Sequence, residues 1–110
     1  MADGVFTIAH YRVRPDAEER FTDILRQHEA TLRALELITD RPTQTYVGTE
    51  RGIEGPLFVE IFEWVDEIGV QVAHTHPQVS AVWERIGAAC EQRGGRPMFE
   101  FPTMRSLESP

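Results

Sequence analysis

Residues 57–64 read LFVEIFEW and form the most strongly β-like segment of the chain. In a strand, alternate side chains point to opposite faces of the sheet, which divides this segment into two sets of side chains. Both sets are largely apolar: one contains Leu57, Val59 and Ile61, and the other contains Phe58, Phe62 and Trp64. The pattern predicts a strand whose sheet is covered on both faces.

The sequence on either side of this segment predicts further strands and helices. We predict strands over residues 5–13, 44–50, 57–64 and 96–101, a helix over residues 17–37, and a broken helical region over residues 66–73 and from Pro77 onward. The order βαββαβ is typical of a ferredoxin-like α+β fold, an antiparallel sheet with helices on one face. We expect a single domain over residues 1–110, with residues 102–110 as a C-terminal tail.

This topology leaves one face of the sheet without helices. Because the strand over residues 57–64 is apolar on both faces, the uncovered face needs another partner. A second copy of the chain, packed sheet against sheet, is the economical solution. The sequence therefore predicts a homodimer.

Capping and turn residues predict where the elements begin and end. Asp16 and Asp66 are expected to cap the N-termini of the first and second helices, and Pro77 suits the first turn of the third. The pair Gly94-Gly95 is expected to end that third helix. Between the second and third strands, Gly52, Gly55 and Pro56 predict a loop longer than a tight two-residue turn.

Composition excludes several classes of function. The net charge of −7 argues against a nucleic-acid partner, and the absence of lysine excludes Schiff-base chemistry. Cys90 is the only cysteine, which rules out an internal disulfide and a multi-cysteine metal site. The N-terminus lacks the pattern of a secretory signal, and no apolar run has the length of a membrane span. We predict a cytoplasmic protein with no membrane partner.

The four histidines are the first candidates for a site. His74 and His76 are two residues apart just before Pro77, and no further ligand at a suitable spacing supports a metal site. They serve either proton transfer or the capping of a helix. His10 lies in the middle of the first strand, where it faces a pocket or is a satisfied, half-buried side chain. His28 lies on the apolar stripe of the first helix, where it reaches the same pocket or bonds a backbone carbonyl.

Aromatic and acidic side chains complete the candidate set. Tyr46, Trp64 and Trp83 either form the walls of a pocket for a flat ligand or belong to the core. Glu60 and Glu63 face opposite sides of their strand. A buried carboxylate must be paired, and Arg12 or another strand arginine is the expected partner, most simply in an interface salt bridge.

The chain resembles a known family at several of these positions. The features are YRVRPD at residues 11–16 before the first helix, FEW at residues 62–64 before an acidic connector, and His74 near the next helix. Over about residues 5–101 the chain is similar to the antibiotic biosynthesis monooxygenase-like branch of the dimeric α/β-barrel superfamily. The resemblance implies a homodimer with a pocket between sheet and helices. Characterised relatives oxygenate polyaromatic phenols without metal or flavin, and others degrade haem.

Two departures from the family pattern limit what the resemblance implies. Haem-degrading relatives carry an asparagine on the first strand, a tryptophan in the connector and a histidine on the last helix. The corresponding positions here are His10, approximately His74 and approximately Trp83, and the chain has no asparagine, which argues against haem degradation. The glutamate common two residues before the tryptophan of the third strand is replaced by Phe62, with the acid at Glu63.

These observations lead to one main functional hypothesis and two alternatives. The main hypothesis is a cofactor-independent monooxygenase-like protein that acts on a small aromatic or quinol compound. Its proposed catalytic residues are His10, His74 and His76, and its substrate-binding residues are Tyr46, Trp64, Trp83 and His28. The alternatives are a non-catalytic ligand-binding or stress-associated homodimer of the same fold, and an isomerase or lyase of the broader superfamily.

Overall fold

The computed structural model describes residues 4–107 and has the predicted element order. A short 3-10 turn, Pro15–Ala17, precedes the first helix. The strands are β1 (Val5–Arg12), β2 (Gln44–Glu50), β3 (Ile53–Trp64), β4 (Phe99–Glu100) and β5 (Thr103–Met104), and the helices are α1 (Glu18–Ala34), α2 (Glu67–Thr75) and α3 (Pro77–Ala89).

The strands form one antiparallel sheet in the order β2-β3-β1-β4, with β5 also paired to β1. Its centre is the long pairing of β1 with β3, which runs from Val5 opposite Trp64 to Arg12 opposite Leu57. This strand order, with its crossing helices, is the ferredoxin-like α+β fold that the sequence predicts, and the fold class is confirmed.

Helices α1 and α3 cover one face of the sheet, which we call the covered face. The side chains of α1 that pack there repeat at helical spacing, as the sequence predicts, because such a stripe lies on one side of a helix. The buried side chains are Thr7, Ala9 and Tyr11 of β1, Phe58, Glu60, Phe62 and Trp64 of β3, Phe21, Leu25, His28 and Leu32 of α1, and Val79, Val82 and Ile86 of α3.

The other face, which we call the open face, carries the alternate residues of the same strands. Phe6, Ile8 and His10 of β1 are only partly buried, and so are Leu57, Val59 and Ile61 of β3. Strand β3 is therefore apolar on both sides, but only one side is packed against helices of its own chain.

Two of the three predicted helix starts are confirmed. The Asp66 carboxylate accepts a hydrogen bond of 2.9 Å from the backbone N–H of Gly69, and Pro77 is the first residue of α3. The prediction for Asp16 is wrong. Because the 3-10 turn precedes α1, Ala17 takes the cap position without a side-chain bond, and Asp16 forms an exposed ion pair with Arg14 at 3.4 Å.

The predicted loop between β2 and β3 is also wrong. Glu50 pairs directly with Ile53, so the connection is a tight turn of two residues, Arg51 and Gly52. Gly52 has a φ of +79°, which glycine adopts without strain and which suits the second central position of a two-residue turn. Gly55 and Pro56 lie within β3, which begins earlier than predicted.

The C-terminal part of the chain differs from the prediction at two points. Helix α3 ends at Ala89, because Cys90 turns to an extended conformation and bridges to Val13. The pair Gly94-Gly95 instead forms the turn between Arg93 and Arg96. The predicted last strand is two short strands, and β5 lies within the segment expected to be a tail; residues 108–110 of that tail lie outside the described residues.

Candidate functional site

A hydrogen-bonded network of four side chains lies at the centre of the covered face. The Tyr11 hydroxyl donates to Oε1 of Glu60 at 2.7 Å, and Nδ1 of His28 lies 2.9 Å from the same oxygen. On the other side of the imidazole, Nε1 of Trp83 donates to Nε2 of His28 at 3.0 Å. We call Tyr11, Glu60, His28 and Trp83 the buried network.

Each member of the network is placed by the periodicity of its own element. Glu60 shares the covered face of β3 with Phe58 and Phe62 because alternate residues of a strand point the same way. Tyr11 faces the same side from β1, where it pairs with Phe58. His28 is in the apolar stripe of α1, and Trp83 reaches it from α3. Elements far apart in sequence therefore meet in one network around the Glu60 carboxylate.

The carboxylate of Glu60 is the least satisfied part of the network. Its residue is 1% exposed, and Oε2 has no hydrogen-bond partner among the described residues. A buried polar oxygen without a partner is costly, so such an atom calls for an explanation. Burial, and then the nearby charge of Glu60, raises the pKa of Tyr11 well above its usual value, which keeps the hydroxyl a donor at neutral pH.

A cleft of about 380 Å³ runs between α1 and strands β2 and β3, and we call it the α1–β2 cleft. Its walls include Leu25 and Glu29, which lie on either side of His28 along α1, and Thr45, which pairs with Glu60 across the sheet. A second buried oxygen without a partner, Oγ1 of Thr43, belongs to a residue of the same wall. The volume is in the range of small-molecule pockets.

Two other sequence candidates, Trp64 and His74, lie next to the buried network. The ring of Phe62 contacts both His28 and Trp64, with centroids 5.7 and 5.2 Å apart, and Nε1 of Trp64 donates to the Thr7 hydroxyl at 2.7 Å. His74 is exposed at the end of α2, and its ring meets that of Trp83 edge-on at 5.0 Å. The structure thus brings His28, Trp64, Trp83 and His74 into one aromatic series.

The remaining candidates lie elsewhere. His10 is on the open face, with Nδ1 3.1 Å from the Ile8 carbonyl. Nδ1 of His76 accepts from the backbone N–H of Gln78 at 3.1 Å and so caps α3. Tyr46 is 57% exposed on β2, at the edge of the α1–β2 cleft. His10, His74 and His76 do not converge, and the roles assigned to them from sequence stay predictions.

Sequence reasoning missed Tyr11 and the pairing of Glu60. The useful signal was the position of Glu60 between Phe58 and Phe62 in the alternating pattern, which placed it on the same face as the core. Arg12, the expected partner, lies on the open face. There its Nε and Nη2 donate to the Glu50 carboxylate at 3.0 and 3.1 Å, and its Nη1 donates to Glu100 at 2.8 Å.

Among residues 4–107, no group of three or more histidine, cysteine, aspartate or glutamate side chains is arranged to hold a metal ion. None of the helices there is long and apolar enough to cross a membrane. Cys90 is buried, and burial raises the pKa of its thiol to about 12, so it is a protonated packing residue at neutral pH.

Solved structures of several proteins share this fold over nearly their whole length. SnoaB, a cofactor-independent oxygenase from Streptomyces nogalater, is 15% identical with a TM-score of 0.69, covering 98% of this chain and 97% of its own. An antibiotic biosynthesis monooxygenase is 17% identical with a TM-score of 0.64, covering 96% and 99%. A dimeric ferredoxin-like protein of unknown function from Jannaschia sp. CCS1 is 14% identical with a TM-score of 0.62, covering 92% and 97%.

No protein-family model matches the chain, and no curated protein matches it either. At these identities the structural likeness shows a shared fold. The chain therefore has the fold of antibiotic biosynthesis monooxygenase-like proteins, as the sequence resemblance implies.

Proposed function

We propose that the protein is a cofactor-independent monooxygenase-like enzyme of this family, acting on a small aromatic or quinol compound in the α1–β2 cleft. The observation that carries the proposal is the buried pair of Glu60 and His28, whose neighbours Thr45 and Leu25 line the cleft, with Oε2 of Glu60 left without a partner among the described residues. A base that already accepts two hydrogen bonds on one oxygen keeps the other free for a ligand proton. The oxygenase SnoaB, which has the same fold, supports the reaction class.

The chemistry requires removal of a phenolic proton. A phenolate is electron-rich enough at its ring carbons to react with dioxygen, and a carboxylate–imidazole pair is a suitable general base. For a phenol oxidised to a quinone, one oxygen atom of O₂ becomes bonded to the ring. The other oxygen atom leaves as water with the two hydrogens that the substrate loses, so the substrate itself supplies the electrons.

The predicted histidine roles fit this scheme unequally. His74 contacts the buried network through Trp83 and is the one of the three that would influence it directly. His10 and His76 are bonded to backbone groups of the open face and of the α3 cap, respectively. In the proposal, Tyr46 and Phe58 bound the aromatic ring of the substrate at the cleft.

We further propose that two copies pack through their open faces. Support comes from the partly buried apolar side chains of β1 and β3 on that face and from the dimeric protein of the same fold. A cytoplasmic location stays a prediction; the free thiol of Cys90 is compatible with it.

The test is oxygen consumption with a panel of phenols, naphthols and quinols, followed by mass analysis of the products. Glu60→Gln keeps the shape of the side chain and removes its charge, and we expect turnover to fall about 100-fold or more. Glu54→Gln is the matched control, because Glu54 lies on the same strand, is exposed and is outside the α1–β2 cleft.

Three outcomes decide between the hypotheses. Turnover that survives Glu60→Gln removes the carboxylate from the mechanism. Binding of the panel compounds without any oxygen uptake by the wild-type protein contradicts the enzyme and favours the ligand-binding alternative. Uptake that is lost in Glu60→Gln and kept in Glu54→Gln supports the proposal.

A further inference from the structure

The network contains a hydrogen bond whose direction is fixed by chemistry. The indole nitrogen of Trp83 carries a hydrogen and has no lone pair to offer, so it can only donate. It lies 3.0 Å from Nε2 of His28, and Nε2 must therefore be the unprotonated, accepting nitrogen of the imidazole. A hydrogen on Nε2 would place two donors against each other.

The other ring nitrogen follows from the first. A neutral imidazole with a bare Nε2 carries its hydrogen on Nδ1, which faces Oε1 of Glu60 at 2.9 Å. That oxygen also accepts from the Tyr11 hydroxyl at 2.7 Å. Two donors on one oxygen are best matched by an ionised carboxylate, since a protonated one would be the poorer acceptor.

We infer that Trp83 is a positioning residue: it holds His28 as the neutral Nδ1–H tautomer and so makes Glu60, through Oε2, the base of the site. The inference rests on the proposed function and refines it. His28 has no free lone pair while Trp83 is bonded to it, so it orients and stabilises the carboxylate instead of accepting the substrate proton. Trp83 touches neither the carboxylate nor the α1–β2 cleft and acts through His28.

The alternative role for Trp83 is packing alone. Its ring stacks on Phe101 and meets His74, so a substitution that only removes ring contacts would loosen this side of the sheet. Trp83→Phe keeps an aromatic ring and removes the N–H donor. A readout of the His28 nitrogens separates the two roles, because loss of packing by itself does not choose a tautomer.

The experiment is a long-range proton–nitrogen correlation spectrum of ¹⁵N-labelled protein at neutral pH, with His28 assigned by comparison with His28→Gln. In the wild type we expect one protonated nitrogen, Nδ1, and one bare nitrogen, Nε2. In Trp83→Phe we expect a mixture of tautomers or a doubly protonated ring. Trp64→Phe is the matched control for removing an indole N–H, because Trp64 donates to Thr7, and His28 should keep its wild-type pattern.

The pH dependence of activity is a second test of the role of Trp83. In Trp83→Phe, a protonated His28 beside Glu60 favours the ionised carboxylate and so weakens the base, and the acid limb of the pH–rate profile should move to lower pH by about one unit. A wild-type His28 with its hydrogen on Nε2, or on both nitrogens, overturns the inference even if Trp83→Phe fails to fold. The same holds if Trp83→Phe folds and keeps the wild-type pattern. Absence of turnover in the wild type contradicts only the proposed function, because the tautomer is measured without substrate.

Discussion

The two faces of the sheet each bury one charged side chain, and they treat it differently. Arg12 on the open face is 2% exposed, and Glu60 on the covered face is 1% exposed. All three guanidinium nitrogens of Arg12 are bonded, to Glu50, to Glu100 and to the Pro97 carbonyl. Glu60 has two donors on one oxygen and none on the other among the described residues.

The difference separates a charge whose polar atoms are all used in the fold from one that keeps an oxygen unpaired among the described residues, as the proposed base requires. A buried ion whose donors are all used holds strands in register and has nothing left for a ligand. A buried ion with an open lone pair is more costly to the fold, and a catalytic role is one explanation for a buried group that lacks a partner. Whether all the polar atoms of a buried charged side chain have hydrogen-bond partners thus says more about its role than how deeply it is buried.

The largest effect should come from a charge placed in the middle of the open face. Ile61→Arg puts a guanidinium where two copies are proposed to meet, so the dimer should dissociate to a monomer at micromolar concentration. Light scattering measures the mass. Ile68→Arg is the matched control, because Ile68 is 69% exposed on α2, away from the open face, and it should keep the dimer. A wild-type monomer would contradict the dimer itself.

Removing the structural charge should cost stability without touching the covered face. Arg12→Met leaves the carboxylates of Glu50 and Glu100 without their shared donor, and we expect the free energy of unfolding to fall by about 3 kcal/mol. Urea denaturation measures the change. Arg26→Met removes an exposed ion pair with Asp23 and should change stability by less than about 1 kcal/mol. If the free energy of unfolding fell equally in the two variants, the buried ion pairs of Arg12 would contribute no more to stability than an exposed pair.

The smallest effect should be a dependence on pH that differs between the faces. Hydrogen bonding to Arg12 lowers the pKa of Glu50 below its usual 4.5, so its contribution to stability is present above that pH and is lost as the pH falls. Burial raises the pKa of Cys90 from 9.0 to about 12, so its contribution is present below pH 9 and is lost as the pH rises from about 9 to about 12.

The variants Glu50→Gln and Cys90→Ala separate the loss of stability at low pH from the loss at high pH. The first should flatten the acid loss of stability and the second should flatten the alkaline loss, each by at most about 1.4 kcal/mol per pH unit. Urea denaturation between pH 3 and pH 11 measures both slopes. A Cys90→Ala variant that keeps the full alkaline slope would assign that loss to Tyr11, whose pKa is also raised.

The fold was predictable because its signals are local. Alternation in residues 57–64, the stripe of α1 and the caps at Asp66 and Pro77 act within a few residues, and each is found in the structure. Errors arose where the position of a turn depends on the register between two strands. The tight turn at Gly52 exists because Glu50 meets Ile53 in the sheet, which the glycine and proline content of the segment does not reveal.

The candidate site was only partly predictable, because its contacts join residues that are distant in sequence. The sequence singled out His28, Trp64 and Trp83 as candidates, but it did not show that Trp83 bonds His28 or that His28 bonds Glu60. Those contacts depend on the register of β1 with β3 and on how α1 and α3 lie over them. The pairing of Arg12 was predicted wrongly for the same reason, since its partners are on β2 and β4.

Strand β2 forms an edge of the sheet, and its register with β3 is interrupted between Gly48 and Glu50. An edge strand offers its backbone groups to any further strand, which is how sheets grow into aggregates. The bulge limits the regular part of this edge to residues 44–48. A strand of another chain paired with this part would not keep regular hydrogen-bond spacing beyond it. The irregularity therefore limits the length of this edge with which a strand of another chain could pair.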